Sequence, residues 1–393
     1  MGLKLNVKKG DVGTLPDGWS LKELGDVSDL DAGLSKPKIV FGSGCPVVTV
    51  QDLYEGETIN VSNLKRVVVT EEEIHRYRLF KNDILIGNAS VKRDGIGYSN
   101  RFDGSHEDVI FAKYAYRARN LRSILPIYLH YVLRGTSSRQ WIISNSQTGT
   151  LTNLNKAATR AIPVLVPPLP EQAAITTTLS DIDALLNSLE LLITKKLEIK
   201  QAVMQKLLTR QIRLPGFSRE WEIKSLGELV NIQKGQLITG NTLEFGNVPV
   251  IAGGKQPAYF HKFANRFGKT ITISASGASA GYVALHEQPI FASDCSTISE
   301  APEYSLNFIF FQLLLNQNRI YKAQTGGAQP HIHAKDLNPI EIPIPDIEEQ
   351  NAIAKILSDM DCELENLEAR LNKTRKLKQG MMQELLTGKI RLI

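Results

Sequence analysis

Two stretches of this chain place hydroxyl, amide and cationic side chains in glycine-punctuated loops that follow strand-like runs, "NDILIGNASVKRDGIGYSN" at 82–100 and "KTITISASGASAGYV" at 269–283. Glycine lets backbone approach a ligand closely, and Ser, Asn and Lys side chains bond phosphate oxygens or base edges. The same strings also fit an ordinary hairpin. Lys92 and Arg93 stand in the first loop, with Lys156 and Arg160 farther along; such cations suit a polyanion, or simply a solvated face. His331 and His333 alternate in "PHIHAK" as on a strand and so share one face. No Cys or acidic residue at ligand spacing accompanies them, so zinc is not indicated, and contact with phosphate or base edges or plain surface exposure stays open.

Catalytic tools are missing. "FGKT" at 267–270 lacks the upstream glycine of a phosphate-binding P-loop, and "RDGIG" and "GASAG" are isolated glycine pairs without the GxGxxG turn of a nucleotide or S-adenosylmethionine cradle. An amino-methyltransferase calls for an Asn/Asp-Pro-Pro-aromatic motif, whereas Pro167 and Pro168 lie between Val166 and Leu169. No G-x-S-x-G elbow occurs. Catalysis, metal and cofactor are therefore expected to belong elsewhere.

The elements that must position these loops announce themselves by repetition. Sliding 172–214 onto 350–392 without a gap gives 21 identities in 43 positions, among them Ser180/Ser358, Asp183/Asp361 and Met204/Met382. A shorter echo precedes each copy, with Trp19, Lys22, Leu24 and Gly25 matching Trp221, Lys224, Leu226 and Gly227. Each long copy reads as a helix whose apolar positions step by fours and threes: Ile175, Leu179, Ile182, Leu186, Leu189 and Ile193, then Ile353, Leu357, Met360, Leu364, Leu367 and Leu371. Pro170 suits the first helical position of one, and Asp346 with Glu349 has the spacing of a capping box for the other. A helix over 170–208 is ~58 Å long at 1.5 Å per residue and cannot bury its stripe against itself. Two equal halves of one chain pair through a twofold axis only if these helices run antiparallel, although docking of each helix on its own globular neighbour is the alternative. Gly380 stands where Ala202 stands in the other copy and weakens the second helix by about 1 kcal/mol.

The predicted organisation is a first domain at 1–165, a first helix segment at 166–214, a second domain at 215–345 and a second helix segment at 346–393. Both domains are mixed α+β, rich in runs such as "PVVTV" and "TITIS" broken by Gly, Asn and Pro, each with one apolar run of helical length. Joining the C-terminus to the N-terminus would recreate the middle junction, so the repeat is circularly arranged with pseudo-twofold character. Charge is uneven. Residues 1–165 carry 22 Lys and Arg against 17 acidic groups, and 215–345 carry 10 of each, so the second domain needs a basic partner to hold a polyanion. Three distant cysteines, no signal-like segment and no long apolar run predict a cytoplasmic protein outside the membrane.

Two dissimilar α+β domains, each opening with a Trp phrase and closing with "VPPLPEQ" (166–172) or "IPDIEEQ" (344–350), separated by repeated helices ending in "IRL", resemble the specificity subunit of a type I restriction-modification system. The segment "VIAGGKQPAYFHKFANR" at 250–266 is similar to part of many second recognition domains in that family. The resemblance implies a non-catalytic subunit whose two target-recognition domains each read half of a split double-stranded DNA sequence, with the antiparallel helix pair, a coiled coil, setting the unread spacer. It implies two methyltransferase subunits supplying S-adenosylmethionine for adenine N6 methylation, and endonuclease subunits that use ATP and Mg. The DNA-binding residues expected are Asn88, Ser90, Lys92, Arg93, Thr152, Asn153, Asn155 and Lys156 in the first domain. In the second they are Lys255, Lys269, Ser274, Ser276, Gln329, His331 and Lys335. A coiled-coil scaffold that joins protein partners without reading DNA, and a recognition subunit of a system with methylation and cleavage fused in one partner, are the competing readings.

Overall fold

The computed structural model describes residues 15–36, 41–54, 56–238, 242, 244–326 and 329–392. The chain divides into two compact units, Met1–Leu189 together with Leu371–Ile393, and Glu190–Arg370. Each is a mixed α+β body.

In unit 1 the opening and closing phrases pair directly: Ser20–Glu23 runs antiparallel to Pro163–Val166, with Ser20 opposite Val166 and Glu23 opposite Pro163. A four-stranded antiparallel sheet follows in the order Asp29–Ala32, Ala115–Arg119, Ile84–Gly87, Ser99–Arg101. Its central strand is apolar on both faces because both are covered; Ile84, Leu85 and Ile86 are fully buried. A three-stranded sheet orders Lys65–Val67, Phe41–Val48 and Ile110–Phe111, the last pair parallel. Unit 2 repeats this plan with different side chains. Glu222–Ser225 pairs Glu341–Ile344, the four-stranded order is Gln233–Lys234, Cys295–Ser299, Thr270–Ser274, Val283–His286, and the three-stranded sheet is Tyr259–His261, Val248–Ile251, Phe291–Ala292, again with a parallel last pair. The repeat, visible in sequence at the ends of each variable region and hinted at by the two glycine loops, thus extends through its interior.

The repeated segments form two long helices, Leu169–Leu208 of 40 residues and Ile347–Leu385 of 39. The first starts one residue before the expected proline, so Pro170 is its second residue, where a missing N–H still costs nothing. At the second start Asp346 accepts the Glu349 amide at 2.9 Å, as a cap should. The reciprocal half of the expected capping box is absent, because the Glu349 carboxylate is taken by Trp221 and Arg213 instead.

The helices pack antiparallel in both units. In unit 1, Ile175 and Leu179 share one core with Leu385 and Leu386, and Asp183 is ion-paired with Lys378. In unit 2, Ile353 and Leu357 share a core with Leu207 and Leu208, Lys196 meets Glu363 at 2.8 Å, and Lys200 meets Asp361. As one residue number rises the other falls. Of the twelve stripe positions, Ile182, Leu186, Met360 and Leu367 are half-buried and the other eight are buried. Gly380 lies inside the second helix, which continues to Leu385 without a break. Among the described residues no helix is long and apolar enough to cross a membrane.

Candidate nucleic-acid interface

The first glycine loop is stitched to its surroundings by backbone. Beyond the buried strand Ile84–Gly87, the Gly97 amide returns to the Gly87 carbonyl at 2.8 Å, a closure for which Gly97 takes a left-handed φ of 66°. The Asn88 amide bonds the Tyr114 carbonyl at 2.7 Å, and the Asn88 carbonyl accepts the Leu154 amide at 2.9 Å. Ala89–Ser90 then pairs antiparallel with Thr152–Asn153. Two stretches some sixty residues apart in sequence are thereby brought side by side. Arg139 holds the loop from beneath, donating to the carbonyls of Ile96 at 2.5 Å and Asp94 at 2.6 Å.

The expected residues of unit 1 fall into three groups. Asn88, Asn153 and Asn155 line one hollow of about 380 Å³ with Lys113, Tyr114 and Tyr116, groups suited to reading base edges. Asn155 is partly committed, since its side-chain oxygen accepts the Ala158 amide at 2.8 Å and caps the short helix Lys156–Arg160. Lys92, Arg93 and Lys156 are exposed and make no ion pair among the described residues, so they remain available for phosphates. Ser90 and Thr152 are almost wholly buried, and the Ser90 hydroxyl sits 3.3 Å from that of Tyr54; these two hold the loop's shape. Lys113, Tyr114 and Tyr116 escaped the sequence reading. Only the basic-aromatic pair before a strand hinted at them, and the left-handed φ of 75° at Tyr114 has no sequence signature.

Unit 2 builds the same device from other side chains. Gly281, with φ of 81°, returns its amide to the Ser274 carbonyl at 2.7 Å, and the Ala275 carbonyl accepts the Ile332 amide at 2.9 Å. Ser276 bridges His331, bringing two expected residues together. The Ser276 hydroxyl donates to the Asp294 carboxylate. His331 and His333 stack with ring centroids 6.3 Å apart and planes 7° from parallel, on one face as their alternation requires. Among the described residues no group of three His, Cys, Asp or Glu is placed to hold a metal. Lys335 and Gln329 are exposed nearby in sequence. Ser274 is buried and its hydroxyl has no partner among the described residues; it lines a hollow of about 200 Å³ with Lys255, Thr272, Tyr282 and His286. The Lys255 ammonium lies 5.4 Å from the Tyr282 ring centroid, and burial pulls the His286 imidazole below its ordinary pKa. Lys269 does not join this group. It precedes the far end of the strand Thr270–Ser274 and is neutralised by Glu287 at 2.9 Å.

Beneath both loop systems the phrases shared by the two halves perform one structural task. In unit 1 the Trp19 indole donates to Glu171 at 3.0 Å, and Arg391 clamps the same carboxylate through Nε at 3.0 Å and Nη2 at 2.8 Å, which holds Glu171 below the usual carboxylate pKa. In unit 2 Trp221 donates to Glu349 at 3.0 Å, and Arg213 clamps it at 3.2 and 2.6 Å. The neighbouring Gln172 and Gln350 are buried and bond only backbone. Lys378 lies over the Tyr131 ring and Lys200 over the Phe311 ring, each at 5.6 Å and each paired with the repeated aspartate. The three cysteines are free; burial pushes the Cys45 thiol up and the Cys295 thiol up to about 12, so neither is a ready nucleophile.

The family model for the type I restriction modification DNA specificity domain matches residues 16–201 and 218–374. Over 98% of its length the chain is 26% identical to a provisionally assigned type I restriction enzyme MjaX specificity subunit of Methanocaldococcus jannaschii, covering 97% of that protein. It is 23% identical to the MjaVIII specificity subunit of the same organism, over 96% of this chain and 94% of the other. The crystal structure of the type I restriction-modification S subunit from M. genitalium superposes with a TM-score of 0.65 at 19% identity, over 98% of this chain and 99% of that one, and so shares the fold. Matched twice by the family's domain and along nearly its whole length by its members, the chain belongs to the type I restriction-modification DNA specificity subunits.

Proposed function

We propose that this chain reads a bipartite double-stranded DNA target, one half-site per recognition domain, and contributes no catalysis of its own. One observation carries the reading: both units place a glycine loop against the loop that precedes the closing phrase, on one sheet plan, with Asn, Lys and Tyr there in unit 1 and Ser, His and Lys in unit 2. A shared frame with different readers is what two unlike half-sites require. Lys92, Arg93, Lys156, Lys255 and Lys335 take phosphates and fix register, and Asn88, Asn153, Ser276, His331 and Gln329 face base edges. The helix pair sets the unread spacer.

Two methyltransferase subunits dock on this frame, bring S-adenosylmethionine and extract an adenine from the stack for N6 methylation. Endonuclease subunits bring ATP and Mg for cleavage. The neutral charge of 215–345 means that its half-site is held with help from the partner's cations. The complex works in the cytoplasm.

Exchange of residues 215–345 for the equivalent region of a relative, followed by methylome sequencing of cells that carry the chimera and its methyltransferase, tests the proposal. One half-site changes and the other is retained. Altered reading of both halves contradicts independent half-site reading, and absence of sequence-dependent DNA binding with the methyltransferase present favours a scaffold instead.

A further inference from the structure

Unit 1 holds a cavity of about 610 Å³ beside its glycine loop, within the range of small-ligand pockets. Tyr54, Tyr98 and Tyr114 line it, with Ser90, Gln51, Asp94 and the exposed Lys92 as polar groups. Tyr54 and Tyr98 have ring centroids 5.2 Å apart, tilted by 43°, and the Arg139 guanidinium lies 5.1 Å from the Tyr98 centroid. Tyr114 is 41% exposed with the Lys113 ammonium 4.8 Å from its ring, and its backbone stands at φ 75°, a region that a bulky side chain rarely adopts. Val91, at the tip of the loop and lining the same cavity, is 84% exposed.

These features fit one ligand. An apolar side chain standing free between Ser90 and the cationic Lys92 and Arg93 is placed as a wedge, and apolar wedges part neighbouring base pairs in other DNA-binding proteins. A base so parted needs an aromatic face to stack on, and a hollow walled by three tyrosines next to free cations supplies it. An apolar protein segment would use the walls but would leave the exposed Lys92 and neighbouring Arg93 unmatched. Resting on the reading that unit 1 binds DNA, we propose that this cavity receives one nucleobase unstacked from the first half-site, with Val91 parting the stack and Tyr114 covering the base. The device belongs to unit 1 alone. At the equivalent place in unit 2, where the Ala275 amide bonds the Asp294 carbonyl as the Asn88 amide bonds that of Tyr114, the ring is replaced by an acid that binds Ser276.

The test uses the complex of the full chain with its methyltransferase subunits and duplexes bearing the target mapped by methylome sequencing. 5-Iododeoxyuridine is placed singly along the first half-site and irradiated; one position is expected to crosslink to Tyr54, Tyr98 or Tyr114. Tyr114→Ala is expected to weaken binding of the intact duplex roughly tenfold, with no penalty on a duplex made abasic at that position. Tyr114→Phe keeps the affinity, and Tyr114→Gly, which also relaxes the backbone, behaves like Tyr114→Ala. An equal loss on intact and abasic duplexes, or crosslinks confined to residues outside the cavity, overturns the proposal while leaving DNA reading intact. Loss of methyltransferase from the complex with Tyr114→Ala assigns the cavity to a protein and equally overturns it. If the wild-type complex binds no duplex at all, the DNA reading falls first and this proposal with it.

Discussion

Replacing Gln172 by Ala tests whether the closing phrase bolts unit 1 together. The Gln172 side chain is fully buried; its oxygen accepts the Leu125 amide at 2.8 Å, and its nitrogen donates to the carbonyls of Ser123 at 2.9 Å and Pro167 at 2.8 Å. Alanine leaves one amide and two carbonyls without partners, at ~1–3 kcal/mol for each buried group. Water entering the vacated space moves the total toward the lower part of that range, so the expected cost is about 3–6 kcal/mol. Among the described residues the Gln350 side chain meets two groups, the Ser305 amide and the Pro345 carbonyl, both at 2.9 Å, so Gln350→Ala costs about 2–4 kcal/mol. Urea unfolding read by tryptophan fluorescence gives the loss, with Trp221 as the only tryptophan within 190–370. Hydrogen exchange at Leu125 gives the local opening. A loss below about 1 kcal/mol for Gln172→Ala, an unchanged Leu125 exchange rate, or a larger loss for Gln350→Ala refutes the reasoning.

Gly380→Ala is expected to stabilise the second long helix by about 0.5–1 kcal/mol, because a Cβ there meets nothing within 4 Å; a lower melting temperature would contradict it. Lys378→Met leaves Asp183, largely buried, without its cation and is expected to cost about 3 kcal/mol in a denaturant titration. Glu57 pairs with Lys378 at 3.1 Å and lies 3.3 Å from His130; burial opposes its charge, but the His130 hydrogen bond and the Lys378 and Arg134 charges outweigh burial and hold its pKa near 2 against an ordinary 4.5. A depressed carboxylate stabilises the folded form above its unfolded pKa, so the advantage of wild type over Glu57→Gln is full above pH 4.5 and shrinks as pH falls toward 2. Discounted for partial exposure that advantage is about 1–2 kcal/mol, and a gap that does not narrow with acid would count against it. Asn155→Ala removes the cap of Lys156–Arg160 and is expected to cost about 1 kcal/mol by thermal unfolding.

The frame was legible in the sequence because it is written in patterns that repeat. Apolar steps of four and three marked the stripe of both helices, and the twice-used Trp and Glu-Gln phrases marked the bolts, although only contact geometry shows that Glu171 and Glu349 receive the indoles. Glu349 also shows where spacing misleads, since a distant arginine and indole outcompete the local backbone amide for its carboxylate. The readers were legible only as loops. Asn88 and Asn153, singled out because small polar residues near glycine signal a ligand-facing turn, line one hollow. Ser90 and Thr152 look the same in sequence and are buried by strand pairing, and Lys269 is lost to Glu287 across a hairpin. Tyr114 was missed because a positive φ at tyrosine is imposed by tertiary contacts and leaves no local trace.

Unit 2 is one uninterrupted stretch, Glu190–Arg370, whereas unit 1 needs Leu371–Ile393 to supply Leu385 and Leu386 to its core and Arg391 to Glu171. During synthesis unit 2 has all its parts once Arg370 is made, whereas unit 1, begun first, waits for the stretch after it. Deleting residues 371–391 therefore injures the unit encoded first and spares the unit encoded just before the deletion.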